Sequence, residues 1–429
     1  MPNKYKVRNR KILFAEKNAN WQMKGLFLHK FHWMPNKRSL FLRHVAQTSP
    51  WPMIIDIDRA EGMYLYDTDG KAYLDFDSGF SVSSLGHRHP AVIAALEQQM
   101  TKYLHTTVYG EHIQSPQIQF ASKFSEAMDG AFETIYYTNS GSEAVEVAIK
   151  AGRKNTGRYK VLSCKQAYHG STLGAESLRS DISYTSAFMP GLPGVDHIAF
   201  NDFASLDKID PSIAILIMEV VQAEAGVITA DKDWLIEVHK RCKDHGVMLA
   251  FDEIQTGFGR TGKLFAHQHY GIHPDLLIMA KAMGGGMPIG AVAGSHRVMS
   301  CFMQDPPLGH ITTFGGHPMS LAASIAVLDQ LIHSQLMAEV EHKVALFKQH
   351  LQHPSIEEIR SAGLLMAVKL KQASKLVDVV TQLLQKGVMT DFFLFNQDSF
   401  RIAPPLIIEP HHIEEGCGII REVLDEVCS

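Results

Sequence analysis

Val247-Met-Leu-Ala-Phe-Asp-Glu-Ile-Gln255 and, a little further on, Leu276-Leu-Ile-Met-Ala-Lys281 are short apolar runs that close on polar or charged residues. Neither alternates as a strand with one wet face would. Continuous apolar runs of this length fit strands buried on both faces of a parallel sheet. Ile213–Glu219 is a third such run, and residues 133–138 and 159–164 are further strand candidates. Helical patterns separate them: residues 142–153 follow the first strand, and a helix from Asp231 to a stop at Gly246 precedes the run ending at Asp252. This alternation predicts an α/β fold with a mostly parallel central sheet flanked by helices. Upstream, residues 63–76 read as a hairpin turning at Asp69-Gly70. From about Gly315 helices (320–331, 336–350) precede short strands (364–370, 400–402), which predicts a smaller C-terminal α+β domain. The expected division is an N-terminal arm and small-domain segment over 1–75, a large domain over 76–314 and a small domain over 315–429.

Composition narrows the function. The chain has 429 residues and a net charge of −4, which offers no general attraction for nucleic acid. No apolar run reaches the roughly 18 residues of a membrane span. Five cysteines form no C-x-x-C pair, which favours a reducing, cytoplasmic setting without disulfides. The 23 histidines include no H-E-x-x-H, and His87/His89 and His411/His412 have neither helical nor finger spacing, so no metal is expected. The first 43 residues hold eleven Lys/Arg against the single acid Glu16, with Trp21, Phe27, Phe31 and Trp33 interleaved; the remainder carries 30 bases against 44 acids. Lacking the Ser enrichment and apolar stretch of targeting signals, this segment reads as a structural arm lying on the body or on a partner subunit.

The chemistry gathers where the strands end. In open α/β sheets ligands bind beyond the carboxyl ends of the strands, and three runs here end in Glu219, Asp252-Glu253 and Lys281. Burial lowers the pKa of a lysine and frees its amine to attack a carbonyl; the plain alternative is a strand-end lysine reaching solvent. Asp252, if buried, needs a cationic partner, either a protonated ring nitrogen or a structural arginine. Thr138-Asn-Ser-Gly-Ser-Glu-Ala-Val145 runs from strand into helix, and its first amides form an anion site or an ordinary cap. Tyr168 is placed to stack on a planar ring or to fill the core. A lysine amine, a ring-nitrogen carboxylate, a phosphate cradle and an aromatic lid together describe a pyridoxal phosphate site.

Two stretches then carry a resemblance: Asp252-Glu-Ile-Gln-Thr-Gly-Phe-Gly-Arg-Thr-Gly262 and Pro274-Asp-Leu-Leu-Ile-Met-Ala-Lys-Ala-Met-Gly-Gly-Gly-Met-Pro-Ile-Gly290. Together with Leu85-Gly-His-Arg-His-Pro90, residues 138–145, 167–170 and 219–226, and Thr312-Thr-Phe-Gly-Gly-His-Pro318, the chain resembles the class III aminotransferases over roughly residues 50–405. The resemblance implies fold-type I and pyridoxal 5'-phosphate as cofactor. It assigns Lys281 as the Schiff-base lysine and proton shuttle, Asp252 to the pyridine nitrogen, and Gln255 to the ring hydroxyl. Gly141 and Ser142 would hold the phosphate through their amides, Thr313 would reach it from the partner subunit of a homodimer, and Tyr168 would stack on the ring. Arg401 matches the family's α-carboxylate arginine, and Glu224 the acid that pairs with it.

The implied reaction is ping-pong transamination between an amine or ω-amino donor and a 2-oxo acid such as 2-oxoglutarate or pyruvate. An aminomutase, which isomerises a single substrate, would share nearly all these residues. A nicotinamide dehydrogenase is disfavoured, since residues 284–290 lack the G-x-G-x-x-G spacing. One position departs from the family. Where ω-amino-acid members often carry a carboxylate-gripping arginine after Tyr-His-Gly, this chain has Ser171. A donor with an uncharged or cationic far end is therefore expected, with Glu224 and Glu111 as acids that would favour a cation.

Overall fold

The computed structural model describes residues 36–428, and the chain divides after Asp56. In the first unit, helix Lys37–His44 is capped by Asn36, whose side-chain oxygen accepts the Ser39 N–H at 2.8 Å. Trp21, Phe27, Phe31 and Trp33, expected in a packed arm, lie outside the described residues.

The second unit is built on a seven-stranded sheet. Its order is Thr134–Thr138, Gly290–Gly294, Leu276–Ala280, Met248–Asp252, Ile213–Glu219, Lys160–Cys164, Val195–Ile198. Only Gly290–Gly294 runs against the rest, antiparallel to both neighbours. All five expected strands are present with ends moved by a residue at most, and three of them are buried along their whole length. Two strands had no sequence signal. Val195-Asp-His-Ile is a half-polar edge strand, and Gly290-Ala-Val-Ala-Gly has little β propensity. Close approach selects its glycine: a Cβ on Gly290 would overlap the carbonyl oxygen of Ser140. Lys281, expected to close its strand, instead opens a 3-10 turn over Lys281–Gly284, with φ of +48°.

Helix Gly141–Thr156 starts at Ser140, whose hydroxyl accepts the Glu143 N–H, and stops at Gly157 in the left-handed region. Ala144, Ala148, Ala151 and Gly152 give it a slim buried face, and a Cβ on Gly152 would come within 2.6 Å of Ile215. The helix therefore lies close on the sheet, with its N-terminus at the carboxyl ends of the strands. Helix Lys232–His245 has the predicted limits, an Asp231 cap and a left-handed Gly246, and buries Trp234, Leu235, Val238 and Cys242. Losing such a cap costs about 1 kcal/mol.

Two four-stranded sheets, together with the short antiparallel pair Val221–Gln222 and Ile228–Thr229, complete the unit. The predicted hairpin pairs Tyr64–Asp67 with Ala72–Asp75, the Asp67 carboxylate accepting the Asp69 and Lys71 amides at the turn. Val388–Met389, from the far end of the chain, joins it in parallel. The other sheet runs Ile356–Ser361, Met366–Leu370, Ser399–Ile402, Asp391–Phe392, all antiparallel. Helix Pro318–His333 packs on Pro90–Met100 and Ser115–Ala127. Among the described residues no helix is long and apolar enough to cross a membrane.

Gly290→Ala should lower stability by about 1–3 kcal/mol, because the added methyl faces backbone that cannot step aside. Gly418→Ala, where a Cβ meets nothing, should be neutral or stabilising by up to about 1 kcal/mol. Urea unfolding of both variants checks the contrast.

Candidate active site

Segments leaving the carboxyl ends of the strands surround a cavity of about 540 Å³. Gly141, Ser142, Tyr168, Asp252, Gln255 and Lys281 all line it, brought together from four segments of the chain; Glu219, His169 and Ser171 line it as well. Thr313 is exposed and outside the cavity. Glu111 lines a different cavity, with Tyr109 and His310. Arg401 and Glu224 are buried and paired with each other, outside the lining of this one.

Lys281 Nζ donates to Gln255 Oε1 at 3.0 Å. Burial pushes its amine below the ordinary lysine range, and the Glu224 carboxylate pulls it back part of the way. Asp252 is held on both sides: Oδ1 accepts the Ile254 N–H at 3.0 Å, and Oδ2 lies 2.6 Å from His169 Nδ1. His169 Nε2 in turn meets the Ser163 hydroxyl at 3.1 Å. In the tautomer with Nδ1 protonated, His169 donates to the Asp252 carboxylate.

His169 was missed in the sequence, although it stands between Tyr168 and Gly170. It sits on a loop rather than at a strand end, and no local signal shows that it is buried against a residue 83 positions away. Glu219 is the register neighbour of Asp252 on the adjacent parallel strand. Burial and the Asp252 charge hold it well above the usual carboxylate range.

The residues fit pyridoxal phosphate. Gln255 Nε2 is buried without a partner, a free donor beside the lysine. At the helix N-terminus the Glu143 amide is taken by Ser140 Oγ and the Ala144 amide by Ser140 O. The Gly141 and Ser142 amides precede them on the cavity wall, where an anion is favoured. Deeper in, Arg401 Nη2 donates to Glu224 Oε1 at 2.7 Å, while its Nε and Nη1 have no partner. Phe393 and Phe80 lie 4.7 and 5.6 Å from the guanidinium. At the surface, Glu409, His411 and His412 bring three ligand-type atoms within 4.8 Å of one another, a grouping that spacing did not foresee. They sit at the N-terminus of helix Pro410–Cys428, whose dipole disfavours a cation.

Comparison with known proteins agrees with this geometry. The family model "Aminotransferase class-III" matches residues 45–424. The acetylornithine aminotransferase of Caldanaerobacter subterraneus subsp. tengcongensis is 35% identical over 383 residues, 86% of this chain and 94% of that protein. The putrescine aminotransferase of Pectobacterium atrosepticum is 35% identical over 84% of this chain and 80% of its own length. Among solved structures, the ornithine aminotransferase of Toxoplasma gondii, described with pyridoxal phosphate in partial occupancy at its active site, superposes with a TM-score of 0.83. It is 30% identical, over 91% of this chain and 94% of that one.

Removing one member of a buried ion pair leaves an uncompensated charge, at a cost of about 3–5 kcal/mol. Glu224→Gln should therefore destabilise the protein by that order, and adding Arg401→Gln should cost much less than the sum of the single losses. Urea unfolding of the two single variants and the double variant measures this coupling.

Proposed function

The chain belongs to the class III aminotransferases, pyridoxal phosphate enzymes that carry out transamination, and from that premise we propose that its donor is an amine or ω-amino compound without a distal carboxylate, with a 2-oxo acid as acceptor. The observation that carries this reading is Ser171. It lies on the cavity wall, its hydroxyl 3.3 Å from that of Tyr168, where a carboxylate-binding arginine is absent. The Arg401–Glu224 pair supports it, since a donor lacking an α-carboxylate leaves the arginine neutralised by its own partner.

Bound here, pyridoxal phosphate supplies a carbonyl that captures the substrate amine and a ring that takes up electrons as the Cα proton leaves. The chain does the rest. Lys281, steadied by Gln255 and with its amine shifted below the ordinary lysine range by burial, would bind the cofactor and then accept and return the proton at Nζ. Asp252, fixed by Ile254 and His169, presents a carboxylate to the ring nitrogen. The Gly141 and Ser142 amides hold the phosphate, and Tyr168 covers the ring. Glu224 releases Arg401 when the carboxylate of an oxo acid arrives.

Two coarser features belong with this proposal. A homodimer is supported by Thr313, which is outside its own cavity, and by the exposed apolar Met303, Leu308, Ile311 and Phe314 nearby in the chain. A cytoplasmic setting is supported by the free cysteines, of which Cys164, Cys242 and Cys417 are buried.

Lys281→Ala should abolish transamination. Borohydride reduction of the wild-type enzyme followed by peptide mapping should label Lys281, and a label on any other lysine refutes the assignment. A charge-assisted contact contributes about 1.5–3 kcal/mol, or about 10- to 150-fold. Arg401→Ala should therefore slow the oxo-acid half-reaction by that factor while affecting an uncharged amine donor far less. Single-turnover rates of the two half-reactions decide it, and equal losses would show that the donor too presents an α-carboxylate.

A further inference from the structure

The Ser142 hydroxyl is already committed. It donates to Thr172 Oγ1 at 2.8 Å and accepts the Thr172 N–H at 2.9 Å. Thr172 Oγ1 passes the chain on to Glu146 Oε1 at 2.6 Å, and the same oxygen accepts the Ala175 N–H at 3.1 Å. Two glycines make this close fit possible. A Cβ on Gly170 would overlap Ser142 Oγ, and one on Gly174 would overlap the Glu146 carboxylate. Residues 170–172 and the start of the short helix Leu173–Ser177 are thus fastened at several points to the first turns of helix Gly141–Thr156, the same turns whose amides face the cavity.

We propose that Thr172 and Glu146 are positioning residues for the phosphate end of the cofactor site. The Ser142–Thr172–Glu146 chain binds the Ser142 hydroxyl to the loop, fixes the orientation of the Gly141 and Ser142 amides, and sets Ser171 relative to them. The phosphate cradle and the substrate-facing loop are then one rigid piece. Glu146 acts through Thr172; its own charge is no asset beside a phosphate, so its place is explained by the two hydrogen bonds it accepts. The proposal rests on the pyridoxal phosphate reading of the cavity.

The test compares two probes, pyridoxal phosphate and pyridoxal, which lacks the phosphate. Thr172→Val keeps the side-chain shape and removes the hydroxyl. Its apoenzyme should bind pyridoxal phosphate about tenfold more weakly, the scale of one or two lost hydrogen bonds, with pyridoxal binding unchanged. Thr172→Ser should restore the wild-type ratio. Glu146→Ala should shift the ratio in the same direction, with thermal melting of the apo form followed alongside so that a general loss of stability is seen as such. Equal weakening of both probes in Thr172→Val, or unchanged pyridoxal phosphate affinity, would overturn the proposal while leaving the site intact. A wild-type apoenzyme that takes up no pyridoxal phosphate would remove the reading of the site itself.

Discussion

A carboxylate at the end of a fully buried strand has to be satisfied from inside the protein, and Asp252 is the group on which this constraint falls. Its backbone belongs to a strand buried along its whole length, and its side chain, on the cavity wall, is itself nearly buried. One oxygen takes the amide of Ile254 and the other meets His169 at 2.6 Å. His169 in turn needs Ser163 from the next strand but one, and Glu219, lying alongside, is driven towards its neutral form. Two neighbouring buried carboxyl groups do not both ionise cheaply, and at Glu219 burial and the nearby Asp252 charge raise the pKa.

Burial acts on Lys281 as well. An amine buried beside Gln255 is more easily deprotonated than one in water, and its backbone has a positive φ that a lysine rarely adopts. Backbone in this region is strained, and such strain concentrates at functional sites. Around these charged groups the walls are made of small residues. Gly290 lets its strand approach Ser140, Gly152 seats the helix that starts at the cavity on Ile215, and Gly170 lets the loop approach Ser142. Removing side chains brings backbone amides to the cavity, and amides orient an anion without a mobile side chain to order first.

Arg401 applies the opposite principle. It is fully buried, flanked by Phe393 and Phe80, and bonded to Glu224, yet two of its nitrogens are unpartnered. Part of its hydrogen-bonding capacity is thus left free, and under the proposed function the carboxylate of an oxo acid would take it up.

The sequence by itself determined the layered architecture and the chemistry. Apolar runs such as Ile213–Glu219 can be buried only on both faces, and Asp231 and Gly246 marked helix ends through local backbone preferences. Lys281, Asp252 and the residues around Ser142 stood out because charge or small size at the end of an apolar run is itself a local signal. What the tertiary structure decided depends on distance along the chain. Gly290–Gly294 became a strand through what it packs against, against its own propensity. His169 acquired its partner across 83 positions, and Thr172 was tied to Glu146 across 26. Arg401 met Glu224 across 177 positions, a pairing that the family resemblance implied but that no local pattern shows. Such pairings leave no periodic or compositional trace, because a buried polar group is satisfied by whichever segment the fold brings beside it.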